Sequence, residues 1–120
     1  MYGFPEGFDA SFFVGRALEV VSFTANSVGL TFDGRVSITV ESSFEYVFGR
    51  PDAPRAERQR VPVVSSCVMQ LVGHSVEAAE ATLDGTLTLR LDGGNVFRCF
   101  DDQAGYESYR IAYGDREIFV

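Results

Sequence analysis

The stretch VGHSVEAAEATLDGTLTLRLDGGNVFRCF, residues 72–100, decides how the fold is read. Three short runs are separated by two Asp-Gly signals, Asp84-Gly85 and Asp92-Gly93-Gly94, the pattern of two consecutive β-hairpins. Parity then sets the loops. With Leu83-Asp84-Gly85 as a three-residue loop, Gly85 takes the left-handed position, and Ala81 and Ala79 face Leu87 and Leu89. With Asp92-Gly93-Gly94 as the next loop, Leu89 faces Phe97 and Leu87 faces Cys99, so a single apolar face results.

One local signal disagrees. Val76–Ala81, VEAAEA, consists of strong helix formers, and Val72, Val76, Ala79 and Leu83 recur at helical spacing. An internal repeat arbitrates. Placing Val14-Gly15-Arg16 on Val72-Gly73-His74 puts Glu19 on Glu77 and Thr24 on Thr82. One added residue then puts Val28, Leu30, Phe32, Asp33 and Gly34 on Leu87, Leu89, Leu91, Asp92 and Gly93. The first copy, ALEVVSF, is β-branched and aromatic where the second is alanine-rich, so the shared element reads as a strand. In that copy Val28, Leu30 and Phe32, then Val36, Ile38 and Val40, alternate with small or polar residues. A three-residue loop, Asp33 to Arg35, opposes Phe32 to Val36 and Leu30 to Ile38, which a two-residue loop would not.

The fold expected is mainly β. Two similar antiparallel three-stranded meanders, within residues 14–48 and 72–113, form one sheet system, a sandwich or half-barrel, in a single domain of residues 1–120. FEYVF, residues 44–48, reads as a further short strand. YESYRIAY and EIFV read as closing strands joined at Gly114-Asp115. Residues 50–71 are a connection. Its polar part, Arg50 to Arg60, reads as a solvated loop or an arginine-rich contact loop for an acidic partner. A short helix is expected from about Ser65 to Leu71, with Val64, Val68, Leu71 and Val72 on one face and Gly73 beyond its end. The opening segment holds Tyr2, Phe4, Phe8, Phe12 and Phe13, too aromatic to stay solvated, and should lie across one end of the sheet. An exposed aromatic interaction surface is the alternative.

Composition narrows the function. The chain has 120 residues and a net charge of −7, which repels phosphate backbones and argues against nucleic acid while steering in a basic partner. All ten basic residues are Arg. No basic region opens the chain, and no apolar run approaches the ~20 residues that cross a bilayer, so a cytoplasmic protein without membrane contact is expected. Cys67 and Cys99 read as small buried thiols, with a disulfide as the alternative.

Chemistry is sparse. The one histidine, His74, follows Gly73 at the start of a strand, and Arg16 holds the matching place in the other copy, which points to a structural polar role against a catalytic one. Asp101, Asp102 and Glu107 crowd a turn-like segment, DDQAGYE, without calcium-loop spacing. No zinc pattern or phosphate loop is present, so no metal, cofactor or catalytic residue is assigned. What remains is surface. Tyr106, Tyr109, Tyr113 and Arg110 lie beside Asp101, Asp102 and Glu107, the mix that protein interfaces favour, although the tyrosines also suit capping the core.

Leu71-Val-Gly-His-Ser-Val, the Gly85-Thr-Leu-Thr-Leu-Arg-Leu-Asp-Gly-Gly hairpin and Tyr106-Glu-Ser-Tyr-Arg-Ile together resemble a family of small bacterial β-rich proteins of unknown function. Their pattern is Leu-x-Gly, then G-x-L-x-L-x-F-x-D-G, then Tyr-Glu-Ser or Ala-aromatic. Leu91 replaces the usual Phe here, and Tyr109 the commoner Trp. Such proteins look like the immunity partners of secreted toxins, so the resemblance implies a non-enzymatic protein-binding module that occludes a cognate toxin or another basic protein. A self-associating structural domain and a small-ligand-binding β-domain, or an enzyme using His74, are the alternatives. Monomer and homodimer both fit.

Overall fold

The computed structural model describes residues 2–52 and 56–120. Among these residues ten strands form two five-stranded antiparallel sheets, ordered β1-β2-β3-β9-β10 and β5-β4-β8-β7-β6. The strands are β1 (Leu18–Phe23), β2 (Val28–Phe32), β3 (Val36–Val40), β4 (Ser43–Val47), β5 (Glu57–Arg60), β6 (Val76–Ala81), β7 (Leu87–Leu91), β8 (Val96–Phe100), β9 (Tyr109–Tyr113) and β10 (Arg116–Phe119). Both sheets contribute to one buried core, which includes Leu30, Ile38, Phe44, Leu89, Phe97 and Ile111. Each such side chain contributes about 1.5–3 kcal/mol on burial.

The hairpins follow the parity argument. Phe32 opposes Val36 and Leu30 opposes Ile38. Ala81 and Ala79 oppose Leu87 and Leu89, and Leu89 and Leu87 oppose Phe97 and Cys99. Val76–Ala81 is a strand, paired in antiparallel register with β7 from Ala78↔Arg90 to Ala81↔Leu87.

The two meanders repeat each other closely at their starts. Gly15 and Gly73 have φ of 87° and 94°, a left-handed turn that glycine adopts without a Cβ clash. Gly15 and Leu18 donate N–H bonds to the Val76 and His74 carbonyls, while Gly73 and Val76 donate to those of Leu18 and Arg16. Since Gly15, Arg16 and Leu18 correspond to Gly73, His74 and Val76, these bonds form two equivalent pairs about a local two-fold. The register shifts are equivalent as well, falling at Leu18/Val20 and at Val76/Ala78.

The fourth strand of each repeat leaves its own meander. β4 pairs with β8 and β9 pairs with β3, so the halves exchange strands, and β5 and β10 then close the two sheets. The halves therefore share a core neither could close alone.

Four expectations need correction. No α-helix spans Ser65 to Leu71; only a 3-10 turn, Val68–Leu71, forms there, and Val64 is fully exposed. Ser and β-branched residues favour the turn over a longer helix. The 50–71 connection contains β5, because Glu57–Arg60 pairs along β4 at a sheet edge where charged side chains are tolerated; its residues 53–55 lie outside the described residues. Ala10–Phe13 forms a 3-10 turn within the aromatic tail, and the tail packs only in part: Phe12 stacks on Tyr113 at 4.5 Å and Phe4 on Phe8 at 4.8 Å, whereas Tyr2 stays exposed. Cys99 is buried but Cys67 is exposed, and both thiols are free.

Candidate partner-binding surface and its neighbours

The segment that follows β8 divides between surface and interior. Asp101 is buried, and its carboxylate accepts from the Ser108 hydroxyl and the Gly3 N–H, both at 2.7 Å, fastening the aromatic tail to the loop. Tyr109 is fully buried, and its hydroxyl donates to the Gly85 carbonyl at 2.6 Å. Burial pushes the Tyr109 phenol far above its usual range and raises the Cys99 thiol beside it. Neither Asp101 nor Tyr109 is available to a partner. The period-two pattern of β9 turns Tyr109 and Ile111 inward together, and Gly85 supplies the acceptor that an interior hydroxyl needs.

The remaining five reach the surface to different degrees. Asp102 is partly exposed and accepts from the Ser43 hydroxyl at 2.5 Å and from Arg58 and Arg60 at 3.4 Å, which ties β5 to the loop. Tyr106 is 69 % exposed. Glu107 is hydrogen-bonded to the Glu41 carboxyl, which, with some burial, holds its own carboxyl above the usual carboxylate range. Arg110 and Tyr113 are half-buried, and Arg16 sits over the Tyr113 ring at 5.4 Å. The surface part of the cluster is thus Asp102, Tyr106, Glu107 and Arg110, with Tyr113 packed under Phe12.

His74 lies where the starts of the two repeats cross. Its Nδ1 meets the Asp92 carboxylate at 2.5 Å and the Asn95 amide at 3.3 Å. Arg16 and Asp33 occupy the equivalent places, 3.9 Å apart, and the Asp33 carboxylate also accepts from the Ala17 N–H at 2.9 Å. In both halves a basic side chain at the start of the first strand is pinned to the aspartate that opens the second hairpin. His74 also lines a shallow opening with Arg50, Gln70 and Asn95.

One further feature escaped sequence reading. A cavity of about 290 Å³ lies between β4, β5 and residues 65–67, lined by Tyr46, Phe48, Glu57, Gln59, Ser66 and Cys67. Gln59 Nε2 donates to the Ser65 carbonyl at 2.7 Å, which fixes the orientation of the amide. Its Oε1 is sealed from solvent and meets no donor among the described residues. The only sequence signal was that Glu57 and Gln59 are two apart and therefore share a face.

No curated protein and no solved structure matches the chain. The hairpin and closing motifs that carry the turns and core lie within residues 10–120, which match the model of a family of unknown function, DUF6188, and the chain belongs to that family.

Proposed function

We propose that this chain is a non-enzymatic protein-binding module of the immunity type, which neutralises a cognate bacterial toxin by covering a basic active or binding surface. The uneven use of charge carries this reading. Six of the ten arginines, Arg16, Arg35, Arg50, Arg58, Arg60 and Arg98, are held in ion pairs within the chain. Glu19, Glu57, Glu77, Glu80 and Glu117 are exposed and lie outside any ion pair among the described residues. The surplus of −7 is therefore displayed while six arginines already face a carboxylate of their own chain, the arrangement that steers a cationic partner.

Co-expression with the product of an adjacent toxin reading frame should yield a stoichiometric complex. Its affinity should be nanomolar and fall at least about tenfold between 50 and 500 mM salt. A salt-independent interaction, or none with any basic protein, would count against the reading. A second reading, homodimerisation, is favoured by β1, an edge strand that exposes Val20 and sets Phe23 beside Val64 and Met69. Light scattering that finds only monomer at micromolar concentration removes it.

A further inference from the structure

β5 and β10 occupy equivalent positions, which makes the cavity beside β5 informative. Tyr46 on β4 faces Phe97, and Ile111 on β9 faces Ile38; Glu57 then pairs with Tyr46 as Ile118 pairs with Ile111. One step along, Gln59 pairs with Phe44, and Val120 exchanges backbone bonds with Tyr109. Ile118 and Val120 are both buried and close their end of the core. Their counterparts are an exposed carboxylate and an amide with an orphaned oxygen, and there the cavity opens.

Resting on the reading of the chain as a binder of basic proteins, we propose that this cavity takes a single arginine side chain from the partner. The lining is suited to a planar cation. Glu57 provides the carboxylate and Tyr46 and Phe48 the aromatic walls, while the Tyr46 hydroxyl is held by the Cys67 N–H at 3.0 Å. A guanidinium combines fork-like donors with a face that packs on rings, which an ammonium does not. The protein uses the same contact internally, since Arg58 lies 3.8 Å above the Phe100 ring and Arg50 lies 5.4 Å from that of Phe48. At about 290 Å³ the space suits one side chain, being at the lower limit of the roughly 300–1,000 Å³ of sites for larger ligands.

Cys67 supplies the assay, because it lines the cavity and is exposed while Cys99 is buried. Alkylation of Cys67 in the intact chain by neutral iodoacetamide is followed by mass spectrometry at constant ionic strength. The probes are N-acetyl-arginine methylamide and its uncharged isostere N-acetyl-citrulline methylamide. The arginine probe should slow alkylation saturably, with millimolar affinity and at least threefold protection, and should shift the Gln59 side-chain amide resonances. The citrulline probe should do neither. Glu57→Gln, a surface change, should abolish the protection, measured against that variant's own unprotected rate. Equal effects of the two probes, or protection that survives Glu57→Gln, would overturn the arginine site. Neither result touches salt-dependent binding of a whole basic protein, so failure of the pocket and failure of the binding reading are distinguishable.

Discussion

The strands β5 and β10 stand at matching edges of the two sheets and close them by opposite means. β10 and the residue after it turn Ile118 and Val120 into the core, and the aromatic tail covers their neighbours, with Phe4 edge-on to Tyr109 at 6.3 Å. β5 turns Glu57 and Gln59 inward over an open cavity, and its outer residues, Arg58 and Arg60, are held by Asp102. The difference teaches where this fold had freedom. The hairpin registers and the crossing near the local two-fold are alike, so a shared core is maintained by both repeats, while the terminal strands diverged between apolar closure and an acceptor-lined recess.

The largest expected effect comes from giving the closed end the residues of the open one. Ile118→Glu with Val120→Gln should lower unfolding stability by at least about 3 kcal/mol, because two apolar side chains are replaced by groups with no interior partner. Urea unfolding measures it, and a loss below about 1 kcal/mol would mean that the two ends are not energetically distinct.

A smaller loss follows from Tyr109→Phe. The equivalent residue in the first half is already Phe44, so the hydroxyl belongs to the second half alone. Its removal orphans the Gly85 carbonyl and should cost about 1–3 kcal/mol. Chemical denaturation that finds no change would show that water replaces the bond.

The smallest effect concerns the carboxyl pair beside β9. The folded state holds the Glu107 proton above the usual carboxylate range, so this group opposes folding when ionised and ceases to do so as pH falls through its raised folded value. Glu107→Gln should therefore be slightly more stable than the parent at pH 7, with the gap closing toward pH 4. Parallel denaturation series at the two pH values test this, and a gap that widens on acidification would reverse the assignment.

Much of the fold is legible in the amino-acid sequence. Asp33-Gly34, Asp84-Gly85 and Asp92-Gly93 mark the turns, and parity alone paired Leu30 with Ile38 and Leu87 with Cys99. The strand exchange was not legible, because FEYVF and YRIAY have the same period whichever sheet receives them. β5 was hidden for a related reason: ERQR lacks apolar alternation, since its inward face is polar. The exposure of the residues in that cluster was half legible. Tyr106 and Glu107 reach solvent as their types suggest, but Asp101 and Tyr109 are buried by partners distant in sequence, Gly3 and Gly85, which no local pattern reveals.

The contrast between the two ends is tested most directly by the reciprocal exchange, Glu57→Ile with Gln59→Val, followed by urea unfolding. If the recess is an open copy of the closed end, this variant should gain about 1–3 kcal/mol with an unchanged denaturant slope, as the orphaned Gln59 oxygen is removed and apolar surface is covered. A midpoint that stays the same or falls would contradict it.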